Sequence, residues 1–485
     1  MSFDDVLDLC RERRIELWCD DGGQLRYRAP AGALDADLAA RIKAERDAFV
    51  RFLQGGAWRC DPVRRHERFA LTPVQAAYVL GRHESFEFGG NACHLYVEYG
   101  EPANLDCVRF EAAWNACVAR HPMLRAIVED NAWQRVLPDV PWQPLTVHDL
   151  RDADANAFDA HVKRVRERLD HAVHALDRWP VLQPEVSLGP DGAVLHLSVD
   201  FTLIDYASLQ LLLAEWRRRY DDPQWQPEAL DATFRDYVVN EAHAGTRAEH
   251  ARDKAWWLAR IDDLPPRPDL PVVPAMPSGA RPRFTHRHAR LDRAQWAALS
   301  GHASRFGLSA ASVALAAFAE VVGRWSQSPA FCLNLTVLNR PPVHPRIDAV
   351  LGDFTALSLL AVDATHGRDF VERARTIGAR MFDDLDHRAF TGVDVMRELA
   401  RRRGKDAALM PVVFTSGIGS VGRLLGEHAA RAEPPRYMIS QTPQVWLDCQ
   451  VTDQFGGLEI GWDVRDDLFP DGMPAAMFDA YDAVL

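Results

Sequence analysis

The spacing of apolar residues along the first 56 positions predicts a small unit of its own. Apolar side chains recur at helical intervals after Ser2, which together with Asp5 forms a capping-box pattern. Apolar and polar residues then alternate on both sides of the DDGG turn at 20–23, which predicts a hairpin. Asp35 can cap a further helical stretch before a Gly-Gly pair breaks the pattern. We expect a helix–hairpin–helices unit over 1–56, whose core is small and whose surface suits docking.

Downstream of this unit, helical and strand-like periodicities occur in an order that is neither all-helical nor all-strand. Apolar side chains at 107–118 recur at helical spacing, whereas Leu195, Leu197 and Val199 form one face of a strand. This mixture predicts a body of α+β or α/β type.

The opposite face of that strand carries polar side chains and leads into a well-marked helix. His196, Ser198 and Asp200 alternate with the apolar residues, and Asp205 stands at the expected N-cap with Ser208 at the third helical position. A helix cap explains Asp205 without any further function. A buried Asp200 would need a cation or backbone donors, so we expect a structural ion pair or a site there.

Two stretches predict boundaries within the chain. Residues 57–67 are polar and predict a linker. The proline-rich stretch 264–271 cannot hold a helix or a central strand, so we expect it to cross the surface between two lobes, 68–264 and 265–485.

Charge and composition exclude several classes of protein. The 485 residues contain 56 Lys and Arg against 69 Asp and Glu, a net charge of −13, which disfavours binding to nucleic acid or an anionic membrane. A hydrophobic content of 47% excludes a disordered chain, and frequent charges interrupt every apolar stretch. The N-terminus lacks the pattern of a secretory signal, so we expect a cytoplasmic protein.

The eight cysteines are scattered, with no CxxC pair and no Cys/His cluster at zinc spacing. We therefore expect reduced, mostly buried thiols and no metal site. Cys10, Cys107 and Cys117 lie on helical apolar stripes, where a small hydrophobic residue explains them better than a nucleophile.

A single G-x-G-x-x-G motif is formed by Gly417, Gly419 and Gly422. The remaining chain is too short to build the sheet of a dinucleotide-binding domain, so we do not assign that function.

Several separated segments resemble the heterocyclization domains of nonribosomal peptide synthetases. Asp200, Asp205 and Ser208 spell D-x-x-x-x-D-x-x-S, and the adjacent His-His pair that amide-forming condensation relatives carry in H-H-x-x-x-D-G occurs nowhere in the chain. Further segments that match this family's motifs are, in order, 69–75 (FALTPVQ) with 77–78 and 81–82, 120–124 (RHPML), 352–355 (GDFT) with 359–360, 411–416 (PVVFTS), and 440–448 (SQTPQVWLD) followed by 462–463 (WD). The resemblance covers about 68–485, with departures at Ala70 and Cys449, where the family often has proline and histidine. The first 56 residues are similar to the small docking domains that open some synthetase subunits, as in the tubulysin assembly line.

The resemblance implies an α+β fold of two chloramphenicol-acetyltransferase-like lobes in a V, with a tunnel between them. Phosphopantetheine arms, supplied by donor and acceptor carrier proteins, would enter from both sides, and the chain itself would bind no cofactor. A donor acyl thioester would join a carrier-bound Cys, Ser or Thr, and the product would cyclize and lose water to a thiazoline or oxazoline. Proximity of the two thioesters can drive the first reaction. The chain ends in a helix-like run, so we expect it to be a piece of a longer protein that continues into an adenylation domain.

The family's motifs imply that Asp448 and Thr415 are catalytic, with Gln444 in the same motif as Asp448. Alternation predicts that Asp448 shares a strand face with Gln450. Taken alone, an exposed strand aspartate and a β-favoured threonine would explain both residues. The motif match favours proton transfer during the loss of water.

Two further groups of residues complete the predicted sites. We expect Asp200 and Asp205 to be mainly architectural and to pair with an arginine, for which Arg82 and Arg340 are the candidates. In the docking unit, Arg26 and Arg28 lie on the strand face opposite Leu25 and Tyr27 and suit an acidic, extended tail of an upstream subunit.

Two alternatives to heterocyclization stay open at this stage: a domain that only condenses, and a non-catalytic scaffold that recruits carrier proteins. The mass of the product distinguishes heterocyclization from both alternatives. The donor group, the choice among Cys, Ser and Thr, and the upstream partner also stay open.

Overall fold

The computed structural model describes the chain except for residues 1–5, 7–8, 11–12, 14, 20–23, 31–32, 45, 47–48, 50–59, 85–87, 243–247, 274–281, 342–343, 345, 366 and 427–432. The elements of the first half are β1 (Glu16–Cys19), β2 (Leu25–Arg28), α1 (Ala36–Ala44), β3 (Phe69–Ala70), α2 (Pro73–Gly81), β4 (His94–Glu101), α3 (Cys107–Arg120), β5 (Ala126–Glu129), β6 (Trp133–Val136), β7 (Thr146–Asp149), α4 (Ala155–Leu169), β8 (Glu185–Leu188), β9 (Ala193–Asp200), α5 (Tyr206–Asp221) and α6 (Phe234–Ala242). Those of the second half are α7 (Ala248–Leu258), β10 (Thr285–Leu291), α8 (Arg293–Arg305), α9 (Ala310–Trp325), β11 (Ala330–Leu338), β12 (Thr355–Asp363), α10 (Phe370–Asp386), α11 (Gly392–Arg403), β13 (Val412–Ser416), α12 (Ser420–Leu425), β14 (Tyr437–Gln441), β15 (Leu447–Thr452), β16 (Leu458–Val464) and α13 (Met473–Val484).

The N-terminal unit contains the predicted hairpin and the predicted capped helix. β1 and β2 pair antiparallel, and the Asp35 carboxylate accepts a 2.8 Å hydrogen bond from the Leu38 amide at the start of α1. A small core lies between these elements and includes Val6, Cys10, Leu38, Ile42 and Phe49. The capping box at Ser2 and the turn at 20–23 lie outside the described residues.

Two larger sheets organise the rest of the chain. The first sheet has the strand order β14-β4-β9-β8-β7, and the second sheet has the order β10-β16-β15-β13-β11-β12. Helices α3 and α5 pack on the apolar face of the first sheet, where Trp216 stacks on Phe110 at 4.2 Å between ring centroids. Within the second sheet, β13 and β15 are neighbours and carry the predicted catalytic residues, and β16 pairs with the other edge of β15.

The first sheet contains strands from both halves of the chain, so the predicted boundary near 265 does not separate all contacts. β14 comes from the second half of the chain yet pairs antiparallel with β4, with Tyr437 opposite Glu98. This pairing covers an edge of β4 that would otherwise expose unpaired backbone groups. The stretch 264–271 holds neither helix nor strand, as predicted, and its Pro266 carbonyl accepts a 2.7 Å bond from Cys332 in β11.

Both faces of β9 are buried. Leu195, Leu197 and Val199 face the apolar core, and the polar residues His196, Ser198 and Asp200 are also inaccessible. Helix α4 covers the polar face, with its Val165 and Leu169 in the cluster around Tyr96 of the neighbouring strand. The polar strand face therefore lies inside the protein, where each group needs a partner.

In the described ranges, no single helix has the length and apolar content to cross a bilayer. Helices α8 and α9 reach that composition only when they are taken together, and they are bent by 94° at the break between them.

Candidate active site

The predicted ion pair at the end of β9 is present. Arg82, which caps the C-terminus of α2, donates a 2.5 Å hydrogen bond to Oδ2 of the buried Asp200. The same guanidinium group bonds the backbone carbonyl of His174, and Asp200 Oδ1 accepts a 3.0 Å bond from the Thr202 amide. The carboxylate is thus compensated by a cation and a backbone donor, as its burial requires.

Asp205 is the N-cap of α5, as its position in the sequence predicts. Its Oδ1 accepts a 2.6 Å bond from the amide of Ser208, the third residue of the helix. Its Oδ2 accepts a 3.0 Å bond from the amide of Phe354, immediately before β12. One carboxylate therefore joins the helix after the first sheet to the chain that enters the second sheet.

Ser208 and Arg340 complete this junction. The Ser208 hydroxyl donates to the Gly352 carbonyl at 2.8 Å and accepts a 2.6 Å bond from Nη2 of Arg340. Nη2 of Arg340 also lies 3.5 Å from Oδ1 of Asp205. The D-x-x-x-x-D-x-x-S motif thus connects two parts of the fold through buried, compensated polar groups.

Thr415 and Asp448 are brought together on neighbouring parallel strands, β13 and β15. The Thr415 hydroxyl donates a 3.0 Å hydrogen bond to Oδ1 of Asp448. The second carboxylate oxygen accepts a 2.9 Å bond from Nε2 of Gln450, two residues further along β15. The Asp448 side chain is half-buried and keeps part of its surface accessible.

The electrostatics of Asp448 suit proton transfer near neutral pH. Burial raises the pKa of its carboxyl to about 7, and the nearby charge of Asp463 acts in the same direction. The hydrogen bonds from Gln450 and Thr415 oppose this shift. A group with this pKa is populated in both the protonated and the ionised form at neutral pH, so it can both give and take a proton.

Three further polar side chains lie close to Asp448 or to the D-x-x-x-x-D-x-x-S motif. Tyr78 of α2 hydrogen-bonds Cys93, and its environment includes the charges of Asp353 and Asp448. Asp353 is fully buried, accepts a 3.1 Å bond from the Thr355 amide, and has no partner for Oδ2 in the described part of the chain. Burial holds the pKa of Asp353 and that of Tyr78 well above their ordinary values.

Three predicted site residues are not joined to this cluster. Gln444 has left-handed backbone with a φ of 64°, an exposed side chain and an amide that donates to the Phe88 carbonyl at 3.0 Å. Arg26 and Arg28 are exposed on β2 of the docking unit, and Tyr27 between them is 58% exposed rather than buried. The hairpin has too small a core to cover both faces of this strand.

Sequence reasoning assigned no role in the site to three residues that contact it or its partners: Gln450, Asp463 and His286. Gln450 shares the strand face of Asp448, and Asp463 ends the WD motif, so both had a local signal. His286 had none, because its strand β10 reaches β16 only through the pairing of segments far apart in sequence.

Other candidate chemistry receives no support. Among the residues that the structure describes, no group of three or more His, Cys, Asp or Glu side chains is arranged to hold a metal ion. The G-x-G-x-x-G motif leads into the six-residue helix α12. Burial raises the pKa of the Cys10, Cys107 and Cys117 thiols, which disfavours the nucleophilic thiolate, as predicted.

Family models match most of the chain. The Condensation domain model matches residues 66–418, and the TubC N-terminal docking domain model matches residues 4–55. The fold, the motif at 200–208 and these matches define a condensation-domain enzyme, and the chain belongs to that family.

Comparison with individual proteins places the chain in one branch of the family. It is 68% identical over 487 residues to Pyochelin synthetase PchF of Pseudomonas aeruginosa (strain UCBPP-PA14), covering 100% of this chain and 27% of that protein. It is 36% identical over 419 residues to Phenyloxazoline synthase MbtB of Mycobacterium tuberculosis (strain ATCC 25618 / H37Rv), covering 85% of this chain and 29% of the relative. The EpoB NRPS cyclization-docking bidomain from Sorangium cellulosum superposes with a TM-score of 0.81 at 34% identity, covering 99% of this chain and 97% of that chain.

This chain is a heterocyclization domain of the nonribosomal peptide synthetase type, preceded by a docking domain. It has the mixed α+β fold of condensation domains and is an acyltransferase-type enzyme. The chain spans about a quarter of the length of the curated relatives named above.

Proposed function

We propose that this domain joins a donor acyl or peptidyl thioester to a carrier-bound Cys, Ser or Thr and then closes the product to a thiazoline or oxazoline, with Asp448 and Thr415 acting in the second stage. The observation that supports this assignment is the 3.0 Å bond between the Thr415 hydroxyl and a carboxyl whose pKa is about 7. Amide formation needs mainly the proximity of the two thioesters. Loss of water needs a placed proton donor and acceptor.

The proposed chemistry conserves every proton. The sulfur or oxygen atom of the acceptor side chain adds to the carbonyl carbon of the new amide. The proton of its thiol or hydroxyl group passes to the carbonyl oxygen, which becomes a hydroxyl group. The protonated Asp448 carboxyl then protonates this hydroxyl, which leaves as water while the nitrogen lone pair forms the C=N bond. The resulting carboxylate takes the N–H proton and regenerates the acid. The Thr415 hydroxyl hydrogen-bonds Oδ1 of Asp448. The acidic proton of Asp448 is therefore donated from Oδ2 or exchanged through the Thr415 hydroxyl.

We assign Asp200, Arg82, Asp205, Ser208 and Arg340 to architecture around the reaction site. Each carboxylate in this group already accepts from a backbone amide and lies near an arginine, so neither is available as a base. Gln444 shapes the turn that leads from β14 towards β15.

The partners we propose follow from the two family matches. Donor and acceptor carrier proteins would supply phosphopantetheine arms, and the docking unit would bind an upstream subunit through Arg26 and Arg28. An adenylation domain is our proposal for the neighbouring downstream partner. The seven cysteines that the structure describes carry free thiols, which fits a reducing compartment, and we propose the cytoplasm.

Intact mass spectrometry of the carrier-bound product tests the proposed function. With both loaded carriers, the wild-type domain should give a product one water lighter than the linear amide. Asp448→Asn and Thr415→Ala should give the linear amide and little of the lighter product. Asp479→Asn and Thr376→Ala change exposed helical residues and serve as matched controls. A linear product from the wild type would indicate a condensation-only domain, and no product would indicate a scaffold.

A further inference from the structure

In the described part of the chain, every hydrogen-bond partner of Asp463, on β16 beside Asp448, is a group that can donate. Its Oδ2 accepts from the amide of Ser440 at 3.0 Å, from the Ser440 hydroxyl at 2.7 Å and from Nε2 of Gln450 at 2.9 Å. Its Oδ1 lies 2.8 Å from Nδ1 of His286. Four hydrogen-bond contacts thus surround the Asp463 carboxyl group, although the residue is only 1% exposed.

Gln450 connects this carboxylate to the reaction site. Its Nε2 lies 2.9 Å from Oδ2 of Asp448 and 2.9 Å from Oδ2 of Asp463. One neutral amide group thus bridges two acidic side chains on adjacent strands, which stand directly opposite each other in the register of β15 and β16. The bridge fixes the carboxyl plane of Asp448, and the charge of Asp463 acts on it at short range.

His286 closes the network at the edge strand of the second sheet. Its side chain is mostly buried and packs over the Gly461 backbone, where an added Cβ would lie 3.1 Å from Cε1. The ring donates to Asp463 from the side opposite Gln450. Thr415, Asp448, Gln450, Asp463 and His286 therefore form one continuous chain of contacts across β13, β15, β16 and β10.

We propose that Asp463 and His286 are positioning residues of the ring-closing reaction: through Gln450, they hold the Asp448 carboxyl in place and set the charge that it experiences. This inference rests on the proposed role of Asp448. Neither residue touches the reacting atoms in this assignment. Their effect should be confined to the loss of water, because amide formation does not depend on the proton affinity of Asp448.

The groups that face this network come from every neighbouring element. Asp448 is approached by Thr415 from β13, Gln450 from β15, Asp463 from β16 and Tyr78 from α2. Asp463 is also approached by Ser440 and, at longer range, by Tyr437, both from β14. His286 has Asp463 across the strand pair and His288 on its own strand, with ring centroids 6.3 Å apart.

His288 provides a matched control. It lies two residues from His286 on the same strand, with its ring stacked on that of His286, and it hydrogen-bonds Glu459 at 2.8 Å, outside the network. Replacing either histidine by alanine removes one imidazole ring from β10, but of the two residues only His286 contacts Asp463.

The test is the pH dependence of single-turnover water loss in the intact docking–cyclization chain with loaded carriers. His286→Ala leaves Asp463 with one donor fewer, so the midpoint of the Asp448-dependent limb should move up by about one pH unit. Asp463→Asn removes the negative charge, so the midpoint should move down by a similar amount. His286→Asn, whose amide can reach the position of Nδ1, should restore the wild-type midpoint, and His288→Ala should not move it.

Wild-type midpoints in both His286→Ala and Asp463→Asn would overturn the inference, as would an equal shift in His288→Ala. A parallel loss of linear amide in a correctly folded His286→Ala variant would also overturn it, because the effect would then be structural. Asp448→Asn in the same assay separates the two proposals. If Asp448→Asn forms rings normally, the proposed function fails; if it does not, and the other variants keep the wild-type midpoint, only the present inference fails.

Discussion

The Thr415 hydroxyl donates a 3.0 Å hydrogen bond to Asp448 across two parallel strands, although the residues are 33 positions apart in sequence. They are not directly opposite in register, because Thr415 faces Gln450 and Asp448 faces Val413. The contact is a diagonal one between side chains on the same face of the sheet. It places a neutral donor against a carboxyl whose pKa burial raises to about 7.

The rate of water loss should fall as pH rises through about 7. The pKa of Asp448 is raised, so its acid form predominates below that value and its carboxylate above it. Single-turnover assays between about pH 5.5 and 8.5 should show this limb for ring closure and a flat profile for the linear amide. A ring-closure rate independent of pH over this range would contradict the assigned acid.

Asp205→Ala should lower stability as well as turnover. The substitution leaves the amides of Ser208 and Phe354 and the guanidinium of Arg340 without the carboxylate, and breaking a buried pair costs about 3 to 5 kcal/mol. Thermal unfolding measures the effect, with Asp222→Ala at the exposed end of α5 as the control. An unchanged melting temperature combined with complete loss of activity would make Asp205 catalytic instead.

Gly81→Ala should impair folding and activity. A Cβ at this position would lie 2.3 Å from Cβ of Pro443, in the turn between β14 and β15, so α2 and this turn would have to separate. Gly301→Ala is the matched control, because that helical site has no atom within 4 Å of the added Cβ and should gain roughly 0.5 to 1 kcal/mol. Equal melting temperatures and activities for the two variants would refute the close packing at Gly81.

Deleting residues 1–56 should weaken pairing with the upstream subunit while leaving ring formation intact. Reversing the charge of Arg26 and Arg28 together should have the same effect if the tail is acidic, and added salt should reduce the affinity of the wild type. Calorimetry with the upstream subunit measures both, and Arg46→Glu outside the hairpin is the control. Equally tight binding by the truncated and full-length chains would exclude the docking role.

Asp384 should make the fold less stable as pH rises. Burial raises the pKa of this carboxyl to about 8, and Arg260, 3.5 Å away, makes no hydrogen bond to it that would compensate. The folded state therefore holds a proton that the unfolded chain releases near its ordinary pKa of 3.8, so stability declines from about pH 4 to pH 8. Asp384→Asn should reduce this decline in chemical unfolding measured at pH 5, 7 and 9. An identical slope in the variant would show that Asp384 is not responsible.

Local sequence patterns were sufficient to predict several secondary-structure elements and the order of the motifs. The hairpin at β1 and β2, the capped start of α5 and the strand face of Asp448 depend on alternation or on side-chain bonds that reach only three residues. These interactions join residues that are close in sequence, so the elements that depend on them can be predicted without knowledge of the tertiary structure.

Which of these residues come into contact depends on the tertiary fold. The pairing of β14 with β4 joins segments from the two halves of the chain within one sheet, and β10 brings His286 to Asp463 across 177 positions of sequence. The burial that raises the pKa of Asp448 likewise comes from distant segments packed around it. Such contacts depend on strand register and on the closure of long loops, which the periodicity of any single segment does not contain.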